Sequence, residues 1–310
     1  YGNALADAVV KQGGSIHERT RALEVRDGAT CEVTTDKGLV RAKAVIVATM
    51  YPFLMQGEFY EKLQPKQSYV TAAVVNGPLP EGMYFSVDDY GVTLRPQPYD
   101  GGSILIFGGD VNKVGHGGDI VKRYRKLERV LRESFSVRSL EYYWLTHDAL
   151  SADLVPYIGK VSPDARGLYV ATGFKQWGIT HAVVAAQILT DMIRGKNNPW
   201  LNLYDATRPM PKTPAGEFNL PEAHPSPGTM EGFAAKPPQD PDQLDPDTAT
   251  VYEDQKVGCY REDEQKSECV SMVCTHRGCM VHWNNAERTW DCHCHGSRFS
   301  HSGEVEYGPA

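Results

Sequence analysis

The stretch that decides the fold of the C-terminal part is C-T-H-R-G-C at Cys274–Cys279, followed by C-H-C-H-G-S at Cys292–Ser297. Each stretch offers one cysteine and one histidine, spaced Cys-x-His in the first and Cys-x-x-His in the second. Thiolates and imidazoles are typical ligands of transition metals, so the two stretches together predict a metal centre. Its four predicted ligands are Cys274, His276, Cys292 and His295.

The distribution of cysteines supports this prediction. Six of the seven cysteines lie between Cys259 and Cys294 in a chain of 310 residues. A secreted disulfide scaffold spreads its cysteines through a short chain, whereas clustering at one end of a long chain indicates a metal site. The length allows two or three domains, and 41% hydrophobic with 23% charged residues is ordinary for a soluble globular protein.

Charge and hydropathy exclude two classes of partner. A net charge of −7 gives no reason to expect nucleic acid or an anionic membrane. The longest apolar stretches, such as Ala44–Ala48, are too short to span a bilayer, so we expect no membrane span and a cytoplasmic location.

The first third of the chain has the pattern of an α/β domain. Residues 2–12 predict a helix that stops at Gly13, and residues 21–26 and 30–35 predict two short strands. The apolar run Ala44–Ala48 predicts a buried central strand.

The middle of the chain changes character. Residues 68–107 alternate between apolar and polar and are broken by Pro and Gly, which predicts a mostly antiparallel sheet. Asp119 is predicted to cap an amphipathic helix whose apolar face includes Tyr124 and Leu131. Residues 205–248 contain half of the 20 prolines and predict a linker.

The mixed ligand spacing favours iron over zinc. A Rieske-type 2Fe–2S centre needs two thiolates on one iron and two imidazoles on the other, which two Cys/His loops supply. Zinc is the alternative, since two cysteines and two histidines also make a tetrahedral site. Zinc fingers usually pair Cys with Cys and His with His along the chain, and this chain does not.

Residues 257–310 resemble the Rieske family over both motifs. The resemblance implies a 2Fe–2S cluster, and it implies that Cys279 and Cys294 form the disulfide that links the cluster loops in cytochrome bc-type members. Ring-hydroxylating dioxygenases share the His-Arg-Gly of residues 276–278, but they lack that cysteine pair. They also need a mononuclear iron site with two histidines and a carboxylate, and the sequence upstream has no closely spaced histidine pair with a suitable carboxylate.

Three positions refine the resemblance. His293 stands where a proline is usual, and the Cys-x-x-His spacing favours His295 over it as the ligand. Ser297 matches a serine that donates a hydrogen bond to a sulfide in high-potential members, whereas Phe299 replaces a tyrosine that donates another. The resemblance therefore implies a reduction potential below the top of the Rieske range. Gly308 matches the start of a loop that covers the cluster, so we expect the Rieske domain to be C-terminally truncated.

The segment Gly173–Thr180 joins a predicted strand to the start of a predicted helix. Glycine lets a backbone approach a flat ligand, and a helix N-terminus stabilises negative charge such as that of a reduced flavin. Such a junction is often only a turn, and a tryptophan such as Trp177 is often part of the core.

Taken together, several segments resemble D-amino-acid-oxidase-like FAD-dependent oxidoreductases, in particular bacterial members fused to a C-terminal Rieske domain. The segments that carry the resemblance are Ala44–Thr49, Asp153–Gly159, Tyr169–Phe174, Trp177–Thr180, Pro199-Trp200 and Leu203–Asp205. The resemblance implies that two of them line the flavin ring. The implied cofactor-binding residues are Pro156, Gly159, Gly173, Phe174, Trp177, Gly178, Ile179 and Thr180.

The resemblance implies an α+β multidomain protein in which a partial FAD-binding α/β domain carries an antiparallel-sheet substrate domain and precedes an all-β Rieske domain. The expected division is 1–55 and 150–204 for FAD binding, 56–149 for substrate, 205–248 for the linker and 249–310 for the Rieske domain.

One departure concerns the cofactor. Relatives begin with a G-x-G-x-x-G loop that binds the FAD pyrophosphate, and no such loop occurs here. Because the chain begins at Tyr1 without a methionine, we expect a fragment whose full-length parent binds FAD.

Two absences from the sequence favour a dehydrogenase over an oxidase. Residues 103–108, which align with the strand that carries a flavin-facing lysine in oxidases related to sarcosine oxidase, contain no lysine, and residues 173–181 contain no cysteine for covalent flavin attachment. The expected function is an FAD-dependent amine or amino-acid dehydrogenase that passes electrons one at a time to the Rieske cluster and on to an unidentified acceptor. The alternative is an electron-transfer protein whose flavin part is only a scaffold.

Overall fold

A computed structural model describes residues 1–87, 91–100, 102–116, 118–211 and 241–310. Most of the predicted linker, residues 212–240, lies outside the described residues. The α-helices are α1 (Gly2–Lys11), α2 (Phe59–Lys62), α3 (Ile120–Ser134), α4 (Gly178–Ile193) and α5 (Leu201–Tyr204).

The strands form two groups, separated by the linker. In the N-terminal part (residues 1–211) they are β1 (Ala22–Arg26), β2 (Cys31–Thr35), β3 (Gly38–Ala42), β4 (Val45–Val47), β5 (Leu63–Val75), β6 (Tyr84–Phe85), β7 (Thr93–Tyr99), β8 (Gly102–Lys113), β9 (Val137–Ser151), β10 (Tyr157–Lys160) and β11 (Leu168–Thr172). In the C-terminal part (residues 241–310) they are β12 (Thr248–Tyr252), β13 (Val257–Arg261), β14 (Ser267–Ser271), β15 (Val281–Asn284), β16 (Thr289–Cys292), β17 (Arg298–Ser300) and β18 (Val305–Tyr307).

The α/β layer of the N-terminal part is a sheet in the order β10-β11-β4, with β11 and β4 parallel. Helix α4 packs Ile188 and Leu189 onto one face, against Ile158. The other face belongs to a core that includes Tyr51 and Leu63. These two layers fix the end of β11, from which the predicted flavin segment begins.

The prediction that Ala44–Ala48 forms a central strand is wrong for the described residues. Strand β4 lies at the edge of its sheet, and the side chain of Ile46 is 45% exposed. An apolar run shows that a strand favours burial, but it cannot show whether a neighbouring strand lies on both sides.

The antiparallel sheet of the N-terminal part has the order β6-β7-β8-β5-β9. Helix α3 begins where the Asp119 carboxylate accepts a hydrogen bond from the backbone N–H of Lys122 at 3.2 Å, which confirms the predicted cap. Its apolar face, with Tyr124, Leu127 and Leu131, covers the sheet. Strand β9 was not predicted, because its polar and apolar residues do not alternate regularly.

The C-terminal part is all-β, as predicted. It consists of a three-stranded sheet, β12-β13-β14, and a four-stranded sheet, β15-β16-β17-β18. The indole of Trp290 fills the core between them, so that a Cβ on Gly258 would stand 2.4 Å from the ring. The position therefore requires glycine.

A second disulfide was not foreseen. Cys259 and Cys269 lie directly opposite each other on β13 and β14 and are joined by a bond of 2.04 Å. Two of the six clustered cysteines therefore cross-link the sheet, because residues ten apart in a hairpin can face each other across two strands.

Candidate metal centre and flavin-facing segment

The two predicted ligand loops have the same backbone design. In the first, the N–H of Gly278 donates to the carbonyl of Cys274 at 2.9 Å, and in the second the N–H of Gly296 donates to Cys292 at 3.0 Å. Both glycines have a φ of +75°, where a side chain would be strained. Because Val281 at the start of β15 pairs with Cys292 at the end of β16, the two loops meet at one end of the sheet.

The four predicted ligands come together at that end. Cys274 and Cys292 are buried free thiols, and each shifts the pKa of the other. The rings of His276 and His295 are 4.8 Å apart and nearly perpendicular. The structure thus places two sulfurs and two imidazoles side by side, although their order along the chain alternates.

For three of the four predicted ligands, Cys274, His276 and His295, local electrostatics favour the protonation state that a metal ligand needs. The interaction with Cys292 lowers the pKa of Cys274 to about 6, although burial opposes this. The interaction with Cys274, together with burial, raises the pKa of Cys292. Burial lowers the pKa of His276 and of His295 to about 4, so both imidazoles are neutral at pH 7. Thiolate character and neutral imidazole are what a metal site requires.

Unpaired polar atoms support the fit of a cluster. The Nδ1 atom of His276 is buried without a hydrogen-bond partner among the described residues. The Nε2 atom of His295 lies 3.2 Å from the Tyr60 carbonyl oxygen, which leaves its Nδ1 for a metal. A buried imidazole nitrogen with no partner is costly unless a ligand occupies it, so these residues fit the donor set of a 2Fe–2S centre.

The remaining sulfur atoms of the loops are bonded to each other. Cys279 and Cys294 form a disulfide of 2.12 Å that joins the first loop to the second. Their sulfurs lie within 4.8 Å of that of Cys292 and would resemble a three-cysteine metal site if all were free. Because the disulfide occupies two of them, only Cys292 in this trio can be a thiolate ligand.

His293 contacts residues other than the predicted ligands. Its Nδ1 lies 3.0 Å from Nε2 of His282 on β15. A Cβ on Gly115 would stand only 2.2 Å from the Cβ of His293, so the loop after β8 approaches this histidine closely. His293 therefore packs against the N-terminal part.

Ser297 and Phe299 occupy different surroundings. The buried Ser297 hydroxyl accepts a hydrogen bond from the backbone N–H of Ala310 at 3.1 Å. It also acts on Cys274, whose pKa it helps to lower. The ring of Phe299 belongs to the apolar core, on the strand next to Trp290. The sulfur that Ser297 contacts is that of a predicted ligand, and Phe299 has no polar atom with which to donate.

A buried ion pair braces the strand that leads into the second loop. The Asp291 carboxylate accepts two hydrogen bonds from the Arg298 guanidinium, both of 2.8 Å. It also accepts one from Asn284 and one from Thr289, each of 2.9 Å. Burial acts to raise the pKa of Asp291, but the Arg298 charge and these hydrogen bonds hold it below its usual range.

The cluster loops lie against the N-terminal part. The His295 ring is 5.5 Å from the ring of Tyr51, and His295 is only 8% exposed. The Arg277 guanidinium from the first loop lies 4.0 Å from the centre of the Tyr60 ring. Farther away, the Tyr124 hydroxyl on α3 donates to Glu287 at 2.6 Å. No local sequence pattern marks these contacts, because their partners lie more than 160 residues apart in the chain.

The predicted flavin segment is exposed on one surface of the N-terminal part. The side chains of Trp177 and Ile179 are 63% and 67% exposed, and Gly178 and Thr180 are exposed beside them. Helix α4 begins here without a side-chain cap and without an acidic residue in its first turn. Trp177 is therefore not a core residue, and the surface presents large apolar groups beside open backbone N–H groups.

The remaining predicted flavin contacts are more deeply placed. Gly173 is buried with a φ of +74°, next to Pro156, and Phe174 is half-buried. Gly159 is buried within β10, where a Cβ would face Ala206, and this places it in the packing of the sheet rather than on the exposed surface.

Beside Gly173 the structure contains a buried hydroxyl without a partner. The Ser151 Oγ has no hydrogen-bond partner among the described residues, and its Cβ lies 3.3 Å from the position that a Cβ on Gly173 would take. A backbone position kept free of a side chain, beside an unpaired hydroxyl, suits the approach of a flat polar ligand.

Comparisons with known proteins agree with this two-part arrangement. A family model described as FAD dependent oxidoreductase (DAO) matches residues 1–192, and one described as Rieske [2Fe-2S] domain matches residues 236–310. The chain therefore belongs to the FAD dependent oxidoreductase family and carries a C-terminal Rieske [2Fe-2S] domain. The predicted resemblance and fold class are confirmed.

One relative matches both parts. The putative Rieske 2Fe-2S iron-sulfur protein YhfW of Bacillus subtilis (strain 168) is 34% identical over 314 residues, which cover 100% of this chain and 62% of the relative. The chain thus spans less than two thirds of that relative's length. The cytochrome b6-f complex iron-sulfur subunit of Cyanothece sp. (strain PCC 7425 / ATCC 29141) is 35% identical over 88 residues, 26% of this chain and 45% of that protein.

Solved structures resemble the N-terminal part. The structure of glycine oxidase from Geobacillus kaustophilus superposes with a TM-score of 0.51 at 20% identity, covering 67% of this chain and 57% of that one. At this identity the likeness shows the fold alone. Among the described residues no helix is long and apolar enough to cross a membrane.

Proposed function

We propose that the protein is an FAD-dependent dehydrogenase that acts on the C–N bond of an amine or amino acid and delivers the electrons to its own Rieske centre. Bound FAD would take a hydride from the substrate, and a 2Fe–2S cluster would carry the electrons onward one at a time. The substrate class is suggested by the fold relatives, one of which is described as a glycine oxidase. The electron acceptor outside the chain remains unidentified.

One observation carries the proposal: a short series of contacts joins the flavin-facing segment to the predicted ligand loop. The Thr172 hydroxyl, immediately before Gly173, donates to the carbonyl of Met50. Tyr51 follows Met50 in the chain, and its ring lies beside that of His295. Two contacts and one peptide bond therefore connect the end of β11 to the metal loop.

The chain's own residues would divide the work between the two sites. Cys274 and Cys292 would bind one iron, and His276 and His295 the other. His276 would use its unpaired Nδ1, and His295 the nitrogen that does not face the Tyr60 carbonyl. The uncapped start of α4 would place its N–H groups at the negative edge of the reduced flavin. Trp177 would cover part of the ring and exclude water from it.

The division of the chain follows the same scheme. Residues 1–55 and 150–204 would contact FAD, 56–149 would contact substrate and 249–310 would hold the cluster. Residues 205–208 would belong to the FAD-contacting part as well, because Arg208 pairs with Asp153 at 2.8 Å and also donates to the Pro156 carbonyl at 3.0 Å.

The proposal is tested on protein that carries both cofactors. Candidate amines and amino acids are added anaerobically one at a time, and flavin absorbance and the EPR signal of the reduced cluster are recorded together. A substrate should bleach the flavin and then produce the cluster signal. The Trp177→Ala variant should lose flavin binding while its cluster remains reducible by dithionite.

The alternative is an electron-transfer protein with a scaffold in place of a flavin site. It would be favoured if the protein retained its cluster but bound no FAD, or if the cluster were reduced by an external donor at the same rate with and without FAD. The exposed Trp177 and Ile179 beside an uncapped helix start favour the enzyme, because a mere scaffold has no need of such a surface.

A further inference from the structure

The N-terminal part covers the Nε2 side of the His295 ring. Its Nε2 lies 3.2 Å from the carbonyl oxygen of Tyr60. If Nδ1 binds metal, the remaining proton of a neutral imidazole is on Nε2, so His295 donates to this carbonyl. The other predicted imidazole ligand is less enclosed, since His276 is half-buried and its neighbours Arg277 and Gly278 are exposed.

The acceptor for His295 is itself held in place. Tyr51 is fully buried, and its hydroxyl lies 3.2 Å from the Leu63 carbonyl and 3.4 Å from the Tyr60 carbonyl. One carbonyl thus faces both the Tyr51 hydroxyl and the His295 ring nitrogen. The segment from Tyr51 to Leu63 thus presents the Tyr60 carbonyl to the cluster loop.

The first ligand loop contacts the same segment. The Arg277 guanidinium stacks over the Tyr60 ring at 4.0 Å, which is the geometry of a cation–π contact. The second loop also touches the start of β5, since a Cβ on Gly296 would stand 3.3 Å from the Cβ of Pro65. Both loops of the predicted centre therefore rest on one short stretch of the N-terminal part.

We propose that residues 51–63 are a built-in docking site for the metal loops, which holds the His295 edge against the flavoprotein part and withholds it from external partners. Tyr51 is the positioning residue of this site, because its hydroxyl contacts the carbonyls of Leu63 at 3.2 Å and Tyr60 at 3.4 Å and so fixes the backbone that binds His295. The purpose of this docking site depends on the proposed function, since holding the His295 ring against the flavoprotein part would keep the path from flavin to cluster short. Its geometry stands independently of whether FAD is bound.

The test measures how readily the imidazole protons exchange with solvent. The cluster-loaded full chain is reduced with dithionite and transferred to D2O, and proton ENDOR follows the two histidine N–H protons that couple to the reduced cluster. In the native protein one proton should exchange slowly and the other promptly. Equal rates for the two protons would overturn the proposal.

Variants identify the residues responsible. Tyr51→Phe removes the hydroxyl but keeps the ring, and loss of one hydrogen bond should speed exchange of the slow proton roughly fivefold. Arg277→Gln, at an exposed position where folding is not at risk, should speed it by about two- to fivefold. If neither variant changed the rate, residues 51–63 would not be what protects His295.

Tyr157→Phe is the matched control. Tyr157 is buried in the same core as Tyr51, but its hydroxyl has no hydrogen-bond partner among the described residues. It should leave the exchange rate at the native value. Acceleration equal to that of Tyr51→Phe would mean that general loosening of the core, rather than docking, controls exchange, and would overturn the role of Tyr51.

The outcome is separable from that of the proposed function. If one histidine N–H exchanged slowly but no substrate reduced the cluster, the docking site would stand and the dehydrogenase proposal would be rejected. Substrate-dependent reduction with two equally fast protons would keep the dehydrogenase and reject the docking site.

Discussion

Removing the carboxylate of Asp291 should release the second metal loop. In Asp291→Ala the Arg298 guanidinium, whose side chain is only 13% exposed, loses its ionic partner and two hydrogen bonds of 2.8 Å. Breaking a buried ion pair by removing one partner costs about 3–5 kcal/mol. Because Asp291 immediately precedes Cys292, we expect the loss to appear as unfolding of the C-terminal part and release of iron.

Urea unfolding of the cluster-loaded protein, followed by the visible absorbance of the cluster, measures this loss. With a slope of about 2 kcal/mol per molar, a loss of about 4 kcal/mol lowers the midpoint by roughly 2 M. The control is the double variant Asp291→Leu with Arg298→Met, which replaces the pair by apolar groups of similar size. It should recover at least about 2 kcal/mol of the loss, because no charge is left buried and unpaired.

The pH dependence of stability gives a second signature of the same pair. The folded pKa of Asp291 is held below its usual range, so its stabilisation is fully present above the unfolded carboxyl pKa of about 3.9. It should be lost as the pH falls from there through the folded pKa. In the urea experiment, two results would refute the reasoning. One is a free energy of unfolding of Asp291→Ala within about 1 kcal/mol of the native value, and the other is a double variant no more stable than Asp291→Ala.

Four further outcomes are expected. EPR of reduced protein should lose the signal of mixed Cys/His ligation in His295→Ala but keep it in His293→Ala, and the reverse result would exchange the two assignments. Ser297→Ala should lower the cluster potential in protein-film voltammetry, because the hydroxyl that it loses stabilises negative charge on the sulfur of the predicted ligand Cys274, and an unchanged potential would show that Ser297 does not tune it. Cys259→Ser opens a disulfide between residues ten apart and should cost about 3 kcal/mol in urea unfolding, whereas a much smaller loss would mean that the sheet alone holds the two strands. Burial lowers the pKa of His147 to about 4, so stability should fall by up to about 3 kcal/mol as the pH drops from about 6.5 to 4, and His147→Gln should remove that part of the dependence.

Much of the candidate site was predictable because its chemistry is local in the sequence. Cys274 and His276 lie within one tight turn, as do Cys292 and His295, and a turn needs only its own residues and a glycine to form. The helix that begins after Asp119 was predictable for the same reason, since its cap and apolar face lie within a few turns. The central position assigned to Ala44–Ala48 failed, because an apolar run does not show whether a strand has neighbours on both sides.

The amino-acid sequence by itself determined which residues are the candidate metal ligands, that the chain has a flavoprotein part and an all-β part, and that Gly173–Thr180 joins a strand to a helix. Only the tertiary structure decided that Cys259 pairs with Cys269, that His293 packs against the loop of Gly115, and that His295 rests on the carbonyl of Tyr60. The physical reason is the same in each case. Each of the joined segments can form from its own local sequence signals, without the other. Their relative positions depend on how their packed surfaces fit together, and no pattern along the chain specifies that fit.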